Sequence, residues 1–346
     1  PTEGMQLEGV GAGPLELGLR YELVVGDRQL AVDEEALVLR IEDSLLDVVS
    51  PPSRIGGNQV LHIWLGDGQG KFSRWPLTFT EAGKERPSRS IDYGGVAVGD
   101  VDGDGHPDVA TASHGSGIAV FLGDGKGGFR VVRTGLPQRE YSAQAVILVD
   151  ANRDGRLDMV TSRDVVESPD KTGVDKQQVR VYINQGAQGW QFHDGLVGGF
   201  FSNSLHAWDY DRDGLKDVLT GSHYAGALTL LWKNEGNGKF SPVSFPAIEG
   251  YAYHFATAPG TFGRERVPAF ADAFNIFTGP PEPNRATGLT VYALRDGSWS
   301  RHRVWRKKDG NSLLYTVALG DLDGDGLDDV VFPDSEERRL RVFFQN

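Results

Sequence analysis

The sequence contains no cysteine, so no disulfide bond supports its fold, and thiol content gives no information on the redox compartment. It contains only 2 methionines in 346 residues, and no apolar run is long enough for a membrane-spanning helix. No segment longer than about ten residues joins an N-cap to the apolar spacing of an amphipathic helix. These absences argue against a helical, membrane-spanning or disulfide-rich protein.

The chain also lacks an excess of basic residues. Its formal net charge is −13, whereas a surface that binds nucleic-acid phosphates must be basic, so we expect no nucleic-acid partner. Glycine is abundant instead, with 46 residues, which suits many tight turns between short strands. The composition therefore favours an all-β protein.

One spacing of acidic residues occurs four times. Residues 100–108 read D-V-D-G-D-G-H-P-D, and the spacing recurs at 150–158, 209–217 and 321–329. Oxygens at positions one, three, five and nine, with a carbonyl at seven, form the cage that calcium prefers, and the glycine at six permits the sharp turn. Thr111 stands where an EF-hand needs glutamate, and the flanks are strand formers, so we predict four strand–loop–strand calcium sites.

A solvated acidic turn is the alternative for any single loop, but four copies favour metal binding. Four calcium ions would add eight positive charges and bring the net charge to about −5. Loop two has Asn152 at position three, which should weaken its site. The predicted ligands are Asp100, Asp102, Asp104, Asp108, Asp150, Asn152, Asp154, Asp158, Asp209, Asp211, Asp213, Asp217, Asp321, Asp323, Asp325 and Asp329.

A second marker, a Gly-rich hairpin that ends on an aromatic residue, divides the chain into repeats. The aromatic residues are Phe72, Phe129, Trp190, Phe240 and Trp299. Both markers together give six repeats of roughly 50 to 60 residues, the size of a four-stranded propeller blade. In the second repeat we expect strands A to D at 96–99, 109–113, 118–122 and 129–133. We therefore predict an all-β, six-bladed propeller with calcium loops between strands A and B.

Two repeats and the chain ends depart from this pattern. The first repeat keeps only Asp47, at position nine, and the fifth, at residues 260–271, has no acidic ligand at the expected places, so we expect no metal there. The sixth repeat has no sequence for a strand D. We predict one propeller domain over 1–346, with residues 1–36 as a closing strand or N-terminal extension; a seventh, degenerate blade in that segment is the alternative.

The phrases V-A-V-G-D-V-D-G-D-G-H-P-D-V-A and V-A-L-G-D-L-D-G-D-G-L-D-D-V-V resemble the FG-GAP/VCBS repeat. That family comprises the calcium-loop propellers of integrin α-subunits, some lectins and many exported bacterial proteins. The resemblance covers roughly residues 37–346 and implies a propeller with the aspartates as calcium ligands. It implies little about function, because the same propeller supports adhesion, lectin and enzyme roles.

Functional residues are expected at the blade ends opposite the calcium loops. Long B–C connections are predicted there at 162–178 and 272–288. As a catalytic set we single out His206, His254, His114, His223, Tyr224 and Tyr253. As a ligand-binding set we single out Tyr93, Arg163, Asp164, Asn275, Tyr315 and Asp334. The competing interpretation is structural: polar residues that end strand B and bond a neighbouring blade, and satisfied core histidines.

Two functions remain open. The first is a calcium-stabilised exported propeller that binds a glycan or protein ligand and works outside the cell or in a periplasm, where calcium is near millimolar. The alternative is a lyase, dehydratase or hydrolase on a sugar-like substrate, with a transition metal or acid–base pair at the histidines. The sequence does not decide whether the protein is an enzyme, and it gives no oligomeric state.

Overall fold

The computed structural model describes a chain built almost entirely of strands. It describes residues 21–25, 28–32, 37–39, 47–50, 61–67, 69, 71–75, 78–81, 84–87, 94–138, 141–163, 177–197, 204–222, 230–246, 251–277, 286–308, 314, 316–334 and 336–345. The described part contains no α-helix, only a 3-10 turn at Gly186–Gln188. No helix in this part is long and apolar enough to cross a membrane.

The strands fall into two compact units. The N-terminal unit comprises Arg20–Val197 and Glu235–Lys239, and the C-terminal unit comprises Pro1–Leu19, Gly198–Asn234 and Phe240–Asn346. Together they carry six propeller blades, as the repeats predict. The prediction of one domain over the whole chain stays a prediction.

The N-terminal unit contains a hairpin and the first three blades. The hairpin is β1 (Tyr21–Val25) and β2 (Arg28–Val32). Blade one is β3 (Leu37–Leu39), β4 (Asp47–Ser50), β5 (His62–Gly66) and β6 (Phe72–Trp75), followed by β7 (Thr78–Glu81) and β8 (Lys84–Pro87). Blade two is β9 (Gly94–Gly99), β10 (Asp108–Ser113), β11 (Gly117–Gly123) and β12 (Phe129–Val132). Blade three is β13 (Ala143–Val149), β14 (Asp158–Arg163), β15 (Gln177–Asn184) and β16 (Trp190–Val197).

The C-terminal unit contains the other three blades. Blade four is β17 (Leu205–Trp208), β18 (Asp217–Thr220), β19 (Leu231–Asn234) and β20 (Phe240–Pro242). Blade five is β21 (Tyr251–Phe262), β22 (Val267–Phe277), β23 (Ala286–Arg295) and β24 (Ser298–Lys308). Blade six is β25 (Ala318–Gly320), β26 (Asp329–Asp334) and β27 (Arg339–Phe343).

Within each blade, consecutive strands pair antiparallel in the order A-B-C-D. Each predicted aromatic marker lies on strand D: four of them begin it, and Trp299 is the second residue of β24. Both faces of the inner strands are buried, as nearly every residue of β10 and β11 shows. In the N-terminal unit Phe121 and Val109 pack with Ile63 of the neighbouring blade. In the C-terminal unit Phe270 and Tyr292 of blade five share a core cluster with Leu219 and Leu231 of blade four. The blades are therefore held by apolar packing, which needs no disulfide.

Blade five differs from its prediction. Residues 272–288 were expected to form a long connection, but β22 continues to Phe277 and β23 begins at Ala286. The 260–271 segment is likewise mostly strand, with a tight turn closed by the Arg266 N–H to Gly263 O bond of 2.8 Å. The reason is that alanines and aromatics alternate here and fill a buried pleated surface on both faces.

The chain ends give two further findings. In the part of the chain that is described, blade six has three strands, β25 to β27. Strand β1 pairs with β2, and residues 1–20 lie outside the described residues, so the closing role of residues 1–36 stays a prediction. The β7–β8 hairpin was not predicted; β7 adds parallel to β12 and extends the sheet of blade two to six strands.

Candidate metal centres

The four aspartate loops connect strands A and B of their blades. We call residues 100–108 loop one, 150–158 loop two, 209–217 loop three and 321–329 loop four, in blades two, three, four and six. Position nine is the first residue of strand B in every case. The loops therefore occupy equivalent places, as the repeated spacing predicts.

The loop backbone turns through two left-handed residues. At position six φ is +87°, +82°, +89° and +86° for Gly105, Gly155, Gly214 and Gly326. Position four is also left-handed, with φ of +62° at both Arg153 and Arg212. Only glycine adopts this conformation without strain, so position six has a physical reason to be glycine in all four loops.

The aspartates themselves shape the loop. At position one, an Oδ atom of each aspartate accepts the N–H of the position-six glycine, at 2.9 Å for Asp100 and 3.1 Å for Asp209. At position five, an Oδ atom accepts the N–H of position seven, at 2.8 Å for Asp104. These bonds hold the position-one and position-five carboxylates against the backbone of their own loop.

Position nine has a structural role that the sequence analysis missed. All four of these aspartates are fully buried. One oxygen of Asp108 accepts the Val101 N–H at 2.7 Å, and the other accepts the Gly123 N–H from the end of strand C at 2.8 Å. The same pair of bonds occurs at Asp158, Asp217 and Asp329. In blade one, Asp47 accepts the Gly66 N–H at 3.0 Å, so the strand C bond persists where the calcium motif is lost.

Burial also changes the pKa of three position-nine aspartates. Removal from water raises the pKa of Asp108 and Asp158 to about 6 and that of Asp217 to about 7, although backbone N–H bonds act in the opposite direction. Carboxylates elsewhere in each loop add to the increase by repulsion. A bound divalent cation would remove that repulsion.

Three loops gather acidic oxygens closely enough for one ion. Within each group, oxygens of all three members lie within 4.8 Å of one another. The groups are Asp100, Asp102 and Asp108 in loop one, Asp209, Asp211 and Asp217 in loop three, and Asp321, Asp323 and Asp325 in loop four. This all-oxygen donor set suits calcium. In addition, Oδ1 of Asp209 is buried and has no hydrogen-bond partner among the described residues, which is the kind of atom that a cation satisfies.

Loop two fits calcium less well. Its position-three residue, Asn152, donates its amide to Oδ2 of Asp154 at 3.0 Å, and the Arg156 guanidinium pairs with the same oxygen. Arg156 also donates to the Asn184 carbonyl at 3.1 Å. Loop two is therefore the only one of the four whose described acidic groups form no such cluster.

Loop three already contains a cation. The Lys233 ammonium contacts Oδ2 of Asp211, and it lies 2.8 Å from Oδ2 of Asp213. These hydrogen bonds raise the pKa of Lys233 above its ordinary value.

The described histidines at the opposite blade ends do not come together. Nδ1 of His114 lies 3.0 Å from the Ser142 hydroxyl, and Nε2 of His206 lies 2.6 Å from the Thr257 carbonyl. Burial lowers the pKa of His206, which keeps the ring neutral and donating to that carbonyl. The metal-type clusters among the described residues contain only aspartate, so none of these histidines joins one.

Among the described members of the predicted catalytic set, His254 pairs with a buried carboxylate. Its Nδ1 lies 2.9 Å from Oδ2 of Asp272, and both residues are buried. Oδ1 of Asp272 has no hydrogen-bond partner among the described groups. Asp272 was not predicted as a site residue, because residues 272–288 were expected to form a connection. An aspartate within the apolar run A-F-A-D-A-F was the available signal.

The predicted ligand-binding residues are dispersed over several blades. Arg163 lies over the Tyr141 ring, 5.6 Å from its centroid. Asn275 is buried in β22, opposite Tyr253, which stacks on Phe255. Asp334 is buried in an ion pair with Arg341 at 2.7 Å. Tyr93, Asp164, His223, Tyr224 and Tyr315 lie outside the described residues.

Comparison with known proteins supports the repeats. A family model described as FG-GAP-like repeat matches residues 42–111 and 100–161, which include loops one and two. This match confirms the resemblance, and the blades agree with an FG-GAP repeat propeller. No curated protein matches the chain.

A solved structure described as BBS1N in complex with ARL6DN, soaked with lead, is similar to this chain with a TM-score of 0.46. The two are 11% identical, and the similarity covers 89% of this chain and 76% of that one. A likeness at this level carries no conclusion about function.

Proposed function

We propose that this FG-GAP repeat propeller is a calcium-stabilised protein that binds a glycan or protein ligand at the blade ends opposite its loops. The observation that carries the proposal is the convergence of carboxylate oxygens in loops one, three and four at equivalent places. Sites of this kind fill where calcium is near millimolar, so the proposal includes an extracellular or periplasmic location.

Calcium would be held by side chains at positions one, three, five and nine and by the carbonyl at position seven. In loop one these side chains are Asp100, Asp102, Asp104 and Asp108, with the His106 carbonyl. The ion would neutralise carboxylates that otherwise repel one another. The protein's part is to hold the loop in shape through the Asx-type bonds and to fix position nine to strand C. Calcium would thus make the A–B loops rigid and would not contact the ligand.

Polar groups at the ends of strand B support the ligand surface. Arg163, in the N-terminal unit, ends β14 and is partly exposed. Asp334 and Asn275, in the C-terminal unit, are buried at or near the ends of β26 and β22. Guanidinium, carboxylate and amide groups on rigid strands are the groups that hydrogen-bond sugar hydroxyls or polar peptide groups. Arg163 is only partly buried, so it is the one we expect to touch a ligand directly.

An array of neutral and acidic oligosaccharides, probed in calcium, tests the glycan form of this proposal. We expect binding that Arg163→Ala weakens by on the order of tenfold, because a charge-assisted hydrogen bond is worth about 1.5–3 kcal/mol. Arg130→Ala is the matched control, since Arg130 is exposed on strand D. Absence of any bound glycan, or equal loss in the two variants, would contradict the glycan form and leave a protein ligand.

An enzyme is the second candidate, favoured by the His254–Asp272 pair. If Nδ1–H donates to Asp272, then Nε2 is the basic nitrogen, which is the arrangement used for proton transfer. Asp272→Asn keeps the shape of the side chain but replaces the carboxylate that accepts the His254 Nδ1–H with a neutral amide. Turnover of an oligosaccharide panel that falls at least about a hundredfold in that variant would favour the enzyme; no turnover in the unmodified protein would reject it.

A further inference from the structure

Lys233 stands at a position where the other described blades have an apolar residue. The residue at or just after the end of strand C that donates its N–H to the position-nine aspartate is Gly66, Gly123, Asn184, Asn234 or Gln345. The residue before it is Leu65, Leu122, Ile183, Lys233 or Phe344. Blade four alone among these five has a charged residue there.

This lysine reaches the ligands of loop three. Its ammonium contacts Asp211 at position three and lies 2.8 Å from Oδ2 of Asp213 at position five. Strand β19 is paired on both sides, with β18 and β20, so the base of the side chain is fixed. The two oxygens that the ammonium engages belong to the set that would bind calcium.

Among the described residues, no lysine or arginine forms an ion pair with the other two acidic clusters. Loop one has Leu122 at the equivalent place. Beside loop four, Arg266 donates to the Gly326 carbonyl and lies 3.7 Å from Asp328, at position eight. Neither contact uses Asp321, Asp323 or Asp325, the clustered ligands.

We propose that the Lys233 ammonium is the resident cation of loop three and that calcium binds there only by displacing it. This inference rests on the proposed calcium function. A tethered ammonium acts at a high effective concentration, and it cannot share the same oxygens with a divalent ion. Because Oδ1 of Asp209 has no hydrogen-bond partner in the described part of the chain, the lysine satisfies the loop incompletely. Loop three is therefore a calcium site of lower affinity than loops one and four.

Lys233→Leu, which restores the residue type of the other blades, tests this inference. We expect native mass spectrometry and calorimetric calcium titration of the unmodified protein to show tight sites followed by a weaker one. In Lys233→Leu the calcium affinity of the weaker step should rise by on the order of tenfold or more. Adding Asp211→Asn to that variant should abolish calcium binding at this step. Lys216→Leu is the matched control: it removes an exposed lysine from the same loop and should leave the titration unchanged.

The reverse exchange gives an independent test. Leu122→Lys places a lysine beside loop one and should convert one tight site into a weak one. If Lys233→Leu does not fold, the same calcium titration of Lys233→Gln and Leu122→Lys tests the inference. A protein that binds no calcium would contradict the proposed function itself. Calcium binding in which every step is the same with and without Lys233, or in which the Lys233-dependent step is not affected by Asp211→Asn, would overturn the inference alone.

Discussion

At the scale of single residues, the position-six glycine is the part of the motif with the simplest physical cause. A Cβ at Gly105 would meet no atom within 4 Å, so space does not select glycine there. Its φ of +87° does. Arginine nevertheless occupies the left-handed position four in loops two and three, where φ is +62°.

Gly105→Ala should therefore destabilise the protein by about 1–2 kcal/mol, the cost of a left-handed non-glycine residue. Gly320→Ala is the control, because that glycine also has open space but lies outside the left-handed region. We expect it to be neutral or stabilising by up to about 1 kcal/mol. Chemical denaturation measures both, and equal effects would rule out backbone strain as the reason.

Position nine illustrates a role that spacing alone does not reveal. The sequence predicts Asp108 and its counterparts as calcium ligands, because only spacing and residue type are visible. The structure adds that each carboxylate joins position two to the end of strand C, and sequence reasoning could not find this without knowing the strand register. Asp47 is the informative case, since it keeps the strand C bond without the rest of the motif.

Asp47→Asn should lower the unfolding free energy by about 1.5–3 kcal/mol in calcium and in chelator alike, because a buried charged acceptor is lost. Asp102→Asn should lower it only in calcium, since Asp102 is exposed and has its role in the metal cluster. Denaturation of both variants under the two conditions separates the roles. A calcium-dependent effect of Asp47→Asn would contradict this assignment.

The raised carboxyl pKa values predict an unusual pH dependence in the calcium-free protein. Folding raises the pKa of Asp108, Asp158 and Asp217 from 3.8 to between about 6 and 7, so the folded state holds protons that the unfolded state has released. The unfolding free energy should therefore fall as pH rises from about 4 to 7. The lowered pKa of His206 makes the unfolding free energy rise with pH below pH 6.5. This is the effect of one group, whereas three carboxyl groups act in the other direction.

Thermal melting between pH 5 and pH 8 in chelator checks this expectation. Calcium competes with protons for the same oxygens, so its stabilisation should grow over that range. A chelated protein that is more stable at pH 8 than at pH 5 would show that these carboxylates do not control the pH dependence.

At the scale of elements, turn chemistry was easier to predict than strand length. The Gly-rich hairpins locate strand D because Asn-Gly and Asp-Gly turns have few alternative conformations. The strands of blade five were harder, since Asp272 and Asn275 lie in buried strand and resemble connection residues only by type. The β7–β8 hairpin was missed because its parallel pairing with β12 has no local sequence signal.

The Asp334–Arg341 pair predicts how blade six is tied together. Both side chains are buried, and the Arg341 guanidinium also lies over the Trp305 ring of blade five, 5.0 Å from its centroid. Arg341→Met should cost about 3–5 kcal/mol because it removes the cation from a buried ion pair. Adding Asp334→Asn should recover much of this loss, and a double-mutant cycle by denaturation measures the coupling. Additive effects would show that the pair is not coupled.

At the scale of the whole molecule, the sequence predicts the number of blades and the places of the loops, because repeated spacing records both. It does not predict the state of each loop. Loop two is occupied by Arg156, and loop three by Lys233, which comes from strand C. The Lys233 contact depends on strand packing, whereas the aspartate motif is identical in type. A motif count of four therefore gives an upper bound on equivalent calcium sites.

Calcium in the A–B loops is proposed to stabilise this fold. The most direct test is scanning calorimetry of the metal-free chain in chelator, in magnesium and in about 1 mM calcium. We predict a higher melting temperature in calcium alone, since each site filled to 100 times its Kd contributes about 2.7 kcal/mol. The same melting temperature in all three solutions would contradict the account.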